Sequence, residues 1–162
     1  MSQTAPALTA ITESTIALLV DEFYARVRRD PVLGPVFDRA IPADAWPAHL
    51  ARMYAFWSSV MLTSGRYKGD PLAVHRRVAG IAPPLFHNWL DLFEETAASL
   101  FVPAVAEAFA VTARRVAESL RVALYYRPDA PWPDDLRKRK SAQPAVRTRR
   151  GTPNGERAPA CG

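Results

Sequence analysis

Three histidines are the residues of this 162-residue chain best equipped for chemistry, since imidazole both ligates metals and exchanges protons near neutral pH. His49 lies in the run Trp46-Pro-Ala-His49-Leu-Ala-Arg-Met53-Tyr54-Ala-Phe56-Trp57. There Trp46, His49, Met53 and Phe56/Trp57 recur three or four residues apart, the spacing of one helix face. His75 closes Gly65-Arg-Tyr67-Lys68-Gly69-Asp70-Pro71-Leu-Ala-Val-His75, in which Asp-Pro opens a short, separately capped helix. A metal-bound imidazole needs one nitrogen on the metal while the other donates outward, and a short capped helix fixes a ring in that way. Two imidazoles so placed can face each other across a flat iron cofactor. On these residues alone two blander readings stay open: His75 at the surface beside Arg76 and Arg77, and His49 as a half-exposed member of an amphipathic helix.

Two further side chains suit a small polar ligand. Tyr24 follows Phe23 at the edge of an apolar helix face, and a buried hydroxyl needs a partner that a bound ligand can supply. The indole N–H of Trp89 is a donor only. Either ring is equally at home in a core. His87 is out of phase with its apolar stripe and is expected to be exposed. Other chemistries lack their motifs: the seven glycines form no phosphate-binding loop, and HExxH, paired CxxC and GxSxG are absent.

The elements that must position these residues are all helical. Residues 12–29 carry Ile16, Leu19, Val20, Phe23, Tyr24 and Val27 at helical spacing behind a Thr12 cap, and Asp30-Pro31 ends the run. Residues 33–37 predict a single tight turn that delivers Phe37 inward. A second helix is expected from Asp44, acting as cap, to Ser64-Gly65, with Pro47 tolerated in its first turn. Asp70-Pro71 opens the short helix of His75, Pro83-Pro84 a longer one, and Pro103 the last. The fold class is therefore all-α, with four main helices and a short extra one.

Composition sharpens the organisation. Residues 1–126 hold 12 basic and 12 acidic side chains, whereas 127–162 hold 9 and 4, so the tail supplies the whole net charge of +5. The neutral body offers no footprint for nucleic acid. Six of the 15 prolines fall after residue 126, in a stretch too poor in apolar side chains to offset the entropy of ordering. The boundary is thus expected at 126, with a basic, disordered tail whose Trp132 is its one large apolar group. Cys161 is the sole cysteine, so no intrachain disulfide forms. No basic n-region opens the chain and no apolar run nears the ~20 residues of a bilayer span, so a cytoplasmic protein off the membrane is expected.

Taken together, the runs Phe23-Tyr24-Ala-Arg-Val27, Leu33-Gly-Pro-Val-Phe37-Asp-Arg-Ala-Ile41, Trp46-Pro-Ala-His49, Phe56-Trp57, Gly65-Arg-Tyr67-Lys68-Gly69, His75 and Trp89-Leu-Asp-Leu-Phe93 resemble the group III truncated haemoglobins. The resemblance covers roughly residues 12–125. It implies a bacterial two-over-two globin sandwich around haem b, with His75 as the proximal iron ligand. Tyr24 and Trp89 become distal donors, His49 a distal histidine that gates access, and Met53 part of the pocket wall. Phe37 packs on the haem face, with Phe56 and Trp57 also against the cofactor. Tyr67, with Arg66 or Lys68, lies near the propionates. One departure is Arg76-Arg77-Val78-Ala79-Gly80, where relatives often carry a Leu-Pro pair. The basic tail has no counterpart.

The resemblance implies O2, NO and CO as ligands. Two distal donors, each contributing about 1.5–3 kcal/mol to a charged acceptor, would raise affinity by orders of magnitude, chiefly through slow release. Slow release suits NO detoxification or peroxide chemistry, fed by an unidentified reductase, better than oxygen transport. A haem-based sensor that binds a partner and a cofactor-free helical bundle are the alternatives.

Overall fold

A computed structural model describes residues 6–126; the expected tail lies outside the described residues, as does the test of its boundary. Helix α1 (Glu13–Arg29) begins in a reciprocal capping box. The Thr12 hydroxyl accepts from the Thr15 amide, and the Thr15 hydroxyl accepts from that of Thr12. Its buried face is the stripe read from the sequence, Ile16 to Val27, and each large side chain removed from water stabilises the fold by about 1.5–3 kcal/mol.

Residues 33–40 differ from expectation. They form a two-turn helix, α2 (Leu33–Ala40), rather than one tight turn. Asp30 makes this possible by ending one helix and starting the next: its amide donates to Arg26 and Val27, while its carboxylate accepts from Val32 and Leu33 at 2.9 and 2.8 Å. Pro35 sits in the first turn, where no intrahelical donor is lost. Gly34 permits the close approach to α1, because a Cβ there would lie 3.1 Å from the Arg28 carbonyl oxygen.

Asp44 is likewise not a cap. It lies inside a 3-10 turn, Ala43–Ala45, that runs straight into α3 (Trp46–Leu62), so the chain enters already coiled and no side chain caps it. Thr63 ends α3 at φ 57°, in the left-handed region. The short helix α4 (Pro71–His75) is capped as expected, Asp70 accepting from the Ala73 amide at 3.0 Å. Helices α5 (Pro83–Leu100) and α6 (Pro103–Tyr125) complete the set.

The four long helices pack two over two. Helix α5 packs most extensively on α6, and α1 lies against both α3 and α5. The core is aromatic-rich, built from Phe23, Trp57, Phe93, Phe101 and Phe109 with the aliphatic stripe of α1. The incoming chain is tied to the α5–α6 elbow: Leu8 donates to the Leu100 carbonyl at 2.8 Å and accepts from the Val102 amide at 2.9 Å. Among the described residues, no helix is long and apolar enough to cross a membrane.

Candidate functional site

Four helices bring the candidate distal residues together. Tyr24 comes from α1, Phe37 from α2, His49 and Met53 from α3, and Trp89 from α5. The His49 ring stands edge-on to Tyr24, with centroids 4.9 Å apart at 89°, and edge-on to Trp46 at 5.5 Å. Phe37 and Trp46 flank Tyr24 at 5.9 and 6.0 Å. Phe23 links Tyr24 to Trp89 through edge contacts of 5.0 and 5.4 Å. Met53 is half-buried one turn beyond His49 on α3.

One polar atom of this cluster is buried without a partner. His49 Nε2 is buried with no hydrogen bond, a condition that costs about 1–3 kcal/mol unless something else meets the atom. Burial above all holds the His49 pKa down to about 4, helped by the positive charge of Arg52, so the ring is neutral at physiological pH. Tyr24 is only 5 % exposed, and burial pushes its pKa above the ordinary range, so its hydroxyl keeps its proton. A neutral imidazole and a protonated phenol therefore share one apolar pocket.

Helix α4 presents His75. The Nδ1 atom lies 2.6 Å from the Pro71 carbonyl oxygen. A carbonyl only accepts, so Nδ1 carries the proton and the Nε2 lone pair is left free, as a metal ligand requires. His75 and His49 lie 26 residues apart in sequence, on α4 and α3. No trio of His, Cys, Asp or Glu among the described residues could hold a metal by itself. A cofactor that brings its own equatorial ligands and needs one histidine fits the donors present: a pinned His75, an orphaned His49 Nε2 and an unpaired Tyr24.

The loop between α3 and α4 holds the remaining candidates, which the structure separates. Arg66 is engaged by Glu13 at 2.6 Å, and the same carboxylate accepts from the fully buried Ser58 hydroxyl at 2.6 Å. Ser58 also reaches Ser64 at 2.7 Å, so Arg66 belongs to a clamp joining α1, α3 and the loop. Tyr67 packs edge-on to Phe56 at 5.3 Å, its amide donating to the Ser59 hydroxyl at 2.8 Å. Its ring folds over Gly69, where an added Cβ would meet the phenol oxygen at 2.5 Å. Lys68 is exposed. Trp57 is 2 % exposed and lies in the core, stacked on Phe93 and against Phe109, apart from the histidine cluster.

One cation was missed in the sequence. Arg52 acts electrostatically on both His49 and Tyr67. The signal was there: Arg52 lies three residues after His49, on the same helical face. A surface concavity lined by Ala25, Arg28, Arg29 and Asp38 shares none of these residues.

No family model matches the chain. Over 88 residues it is 39% identical to the group 3 truncated hemoglobin ctb of Campylobacter jejuni, an alignment spanning 53% of this chain and 69% of that protein. The crystal structure of group III truncated hemoglobin from Campylobacter jejuni superposes with a TM-score of 0.70 at 31% identity, covering 74% of this chain and 96% of that one.

Proposed function

The chain belongs to the group III truncated haemoglobins, and from that membership we propose a haem b protein that binds O2, NO and CO with high affinity and slow release. Haem and gaseous-ligand binding follow from the globin family itself. The finer reading is supported by one observation above all: His49 Nε2 is buried without a partner beside the Tyr24 ring, and the fold also carries a histidine, His75, with its Nδ1 pinned.

His75 would hold the iron through Nε2, with the Pro71 carbonyl fixing the ring. Arg52 and Lys68 would meet the propionates; Arg66 is occupied by Glu13, and Tyr67 is packed on Phe56. When bound, haem supplies an iron that accepts a diatomic ligand and changes oxidation state. The chain's own residues govern what happens around that ligand. Tyr24 donates from a phenol that burial keeps protonated, and Trp89 donates from an indole N–H. His49 is neutral, so it offers one donor and one acceptor without placing a cation in the pocket. Phe23, Phe37 and Trp46 keep water away from these groups, which strengthens each hydrogen bond.

Such retention favours NO detoxification or peroxide chemistry, supported by an unidentified reductase, in the cytoplasm. Residues 1–126 would be the globin domain and 127–162 a separate basic tail. Absorption spectra of the purified protein in ferric, ferrous and CO-bound forms test the core of this reading. A Soret band that His75→Ala abolishes or shifts is expected. No Soret band after haem is supplied would leave a cofactor-free bundle instead.

A further inference from the structure

We propose that the ring series Trp89, Phe93, Trp57, Phe56 and Tyr67 is an electron relay joining the ligand pocket to the protein surface, an inference that rests on the haem reading above. Every link is a ring contact. Trp89 stacks on Phe93 at 5.3 Å and 10°, and Phe93 stacks on Trp57 at 4.7 Å and 15°. Trp57 meets Phe56 at 5.6 Å, and Phe56 meets Tyr67 at 5.3 Å. Aromatic pairs are held at such separations by packing alone, but the order of types is what matters here. Oxidisable rings alternate with phenylalanines, so an electron crosses one ring between successive stopping points.

The two ends are suited to the task. Trp89 connects through Phe23 to Tyr24 and His49. Tyr67 is partly exposed, on a loop where Lys68 and Asp70 face solvent. The branch from Trp57 to Phe109 and Phe101 ends on rings that do not oxidise readily. A second way out, from Tyr24 to Trp46, is opposed electrostatically: the Arg28 guanidinium lies 4.7 Å from the centre of the Trp46 ring. A cation on a ring face stabilises the neutral ring and disfavours loss of its electron.

The oxidant class is a hydroperoxide. Its O–O bond breaks as the pocket takes up two electrons and two protons, leaving an alcohol and water. Within the stack no bond forms or breaks; Trp89, Trp57 and Tyr67 each pass an electron inward, and each tryptophan is refilled from the next oxidisable ring outward. Tyr67 loses its phenolic proton to solvent with each electron. A one-electron donor of the phenol class, AH, then restores the Tyr67 O–H bond by giving up its own hydrogen. The sum is ROOH + 2 AH → ROH + H2O + 2 A•.

The test uses the full-length, haem-loaded protein, hydrogen peroxide and a nitroso spin trap, with trapped residues identified by peptide mass spectrometry. Tyr67 is expected to carry the adduct, and Trp46 is not. In Trp57→Phe, which keeps a ring in the stack, the Tyr67 adduct should fall to the level of haem-free protein while the Soret band persists. Equal labelling of Tyr67 in that variant, or an unlabelled Tyr67 in wild type with an intact Soret band, overturns the relay. Should Trp57→Phe not fold, Tyr67→Phe on the loop decides: oxidation of Trp57 and Trp89 must rise, and unchanged oxidation there refutes the proposal. Absence of any Soret band in wild type is a different failure, that of the haem reading.

Discussion

Tyr24→Phe separates function from stability more cleanly than any other change in this protein. The substitution removes one oxygen and leaves the ring in contact with Phe23, Phe37, Trp46 and His49. If the hydroxyl donates to a bound ligand bearing partial negative charge, its loss costs about 1.5–3 kcal/mol. At 1.4 kcal/mol per factor of ten, ligand release should speed up roughly ten- to a hundredfold, with the change falling mainly on the off-rate. Stability should respond in the opposite sense. The Tyr24 ring is 5 % exposed, so the mutant sheds the cost of keeping a hydroxyl in an apolar site, an effect of about 1 kcal/mol. The haem-free protein should melt at the same temperature or slightly higher. Stopped-flow displacement of O2 by excess CO reads the rate, and thermal melts of haem-free protein read the stability. An unchanged off-rate, or a melting temperature lowered as if a protein hydrogen bond had been lost, would refute the assignment of Tyr24 to the ligand.

His49 predicts a pH dependence of folding. Its folded pKa of about 4 lies below the unfolded value of 6.5, so the unfolded chain binds the extra proton first. Its contribution is fully present above pH 6.5 and is lost as pH falls towards 4. The loss is at most about 3 kcal/mol and less because the ring is only half-buried; urea melts of His49→Leu should lack this slope. Asp70→Ala removes the cap of α4 at a cost of about 1 kcal/mol and should hasten haem transfer to an excess of a haem-free acceptor globin; equal rates would argue against α4 as the anchor of His75. Gly69→Ala should expel the Tyr67 ring, because the new methyl would meet its Cζ at 2.6 Å. Faster nitration of Tyr67 by tetranitromethane is the readout, and an unaltered rate would contradict the packing described.

Helical periodicity and proline placement made the long helices legible, because the stripe of α1 and the Asp70-Pro71 opening of α4 are local signals. The same is true of the aromatic surroundings of His49, which follow from i+3 and i+4 spacing on α3. What the sequence hid depended on contacts between elements. The helical state of residues 33–40 hangs on Asp30 serving two helices and on Gly34 touching the end of α1. Arg66 looked available to an anion because its partner Glu13 lies 53 residues away. Trp57 sat on the same heptad-like stripe as His49, yet helix phase carried it into the core against Phe93.

The tie between Leu8 and the α5–α6 elbow bears on the order in which the protein acquires its shape. Leu8 bonds to Leu100 and Val102, so the tie joins partners some ninety residues apart in the chain. Closing so long a loop is entropically costly until the intervening chain has condensed. The α5–α6 hairpin, by contrast, is joined by only Phe101 and Val102 and has the most extensive pairing in the molecule. Local contacts of that kind form early. By that reasoning the α5–α6 pairing should form before the tie of Leu8, which closes over it.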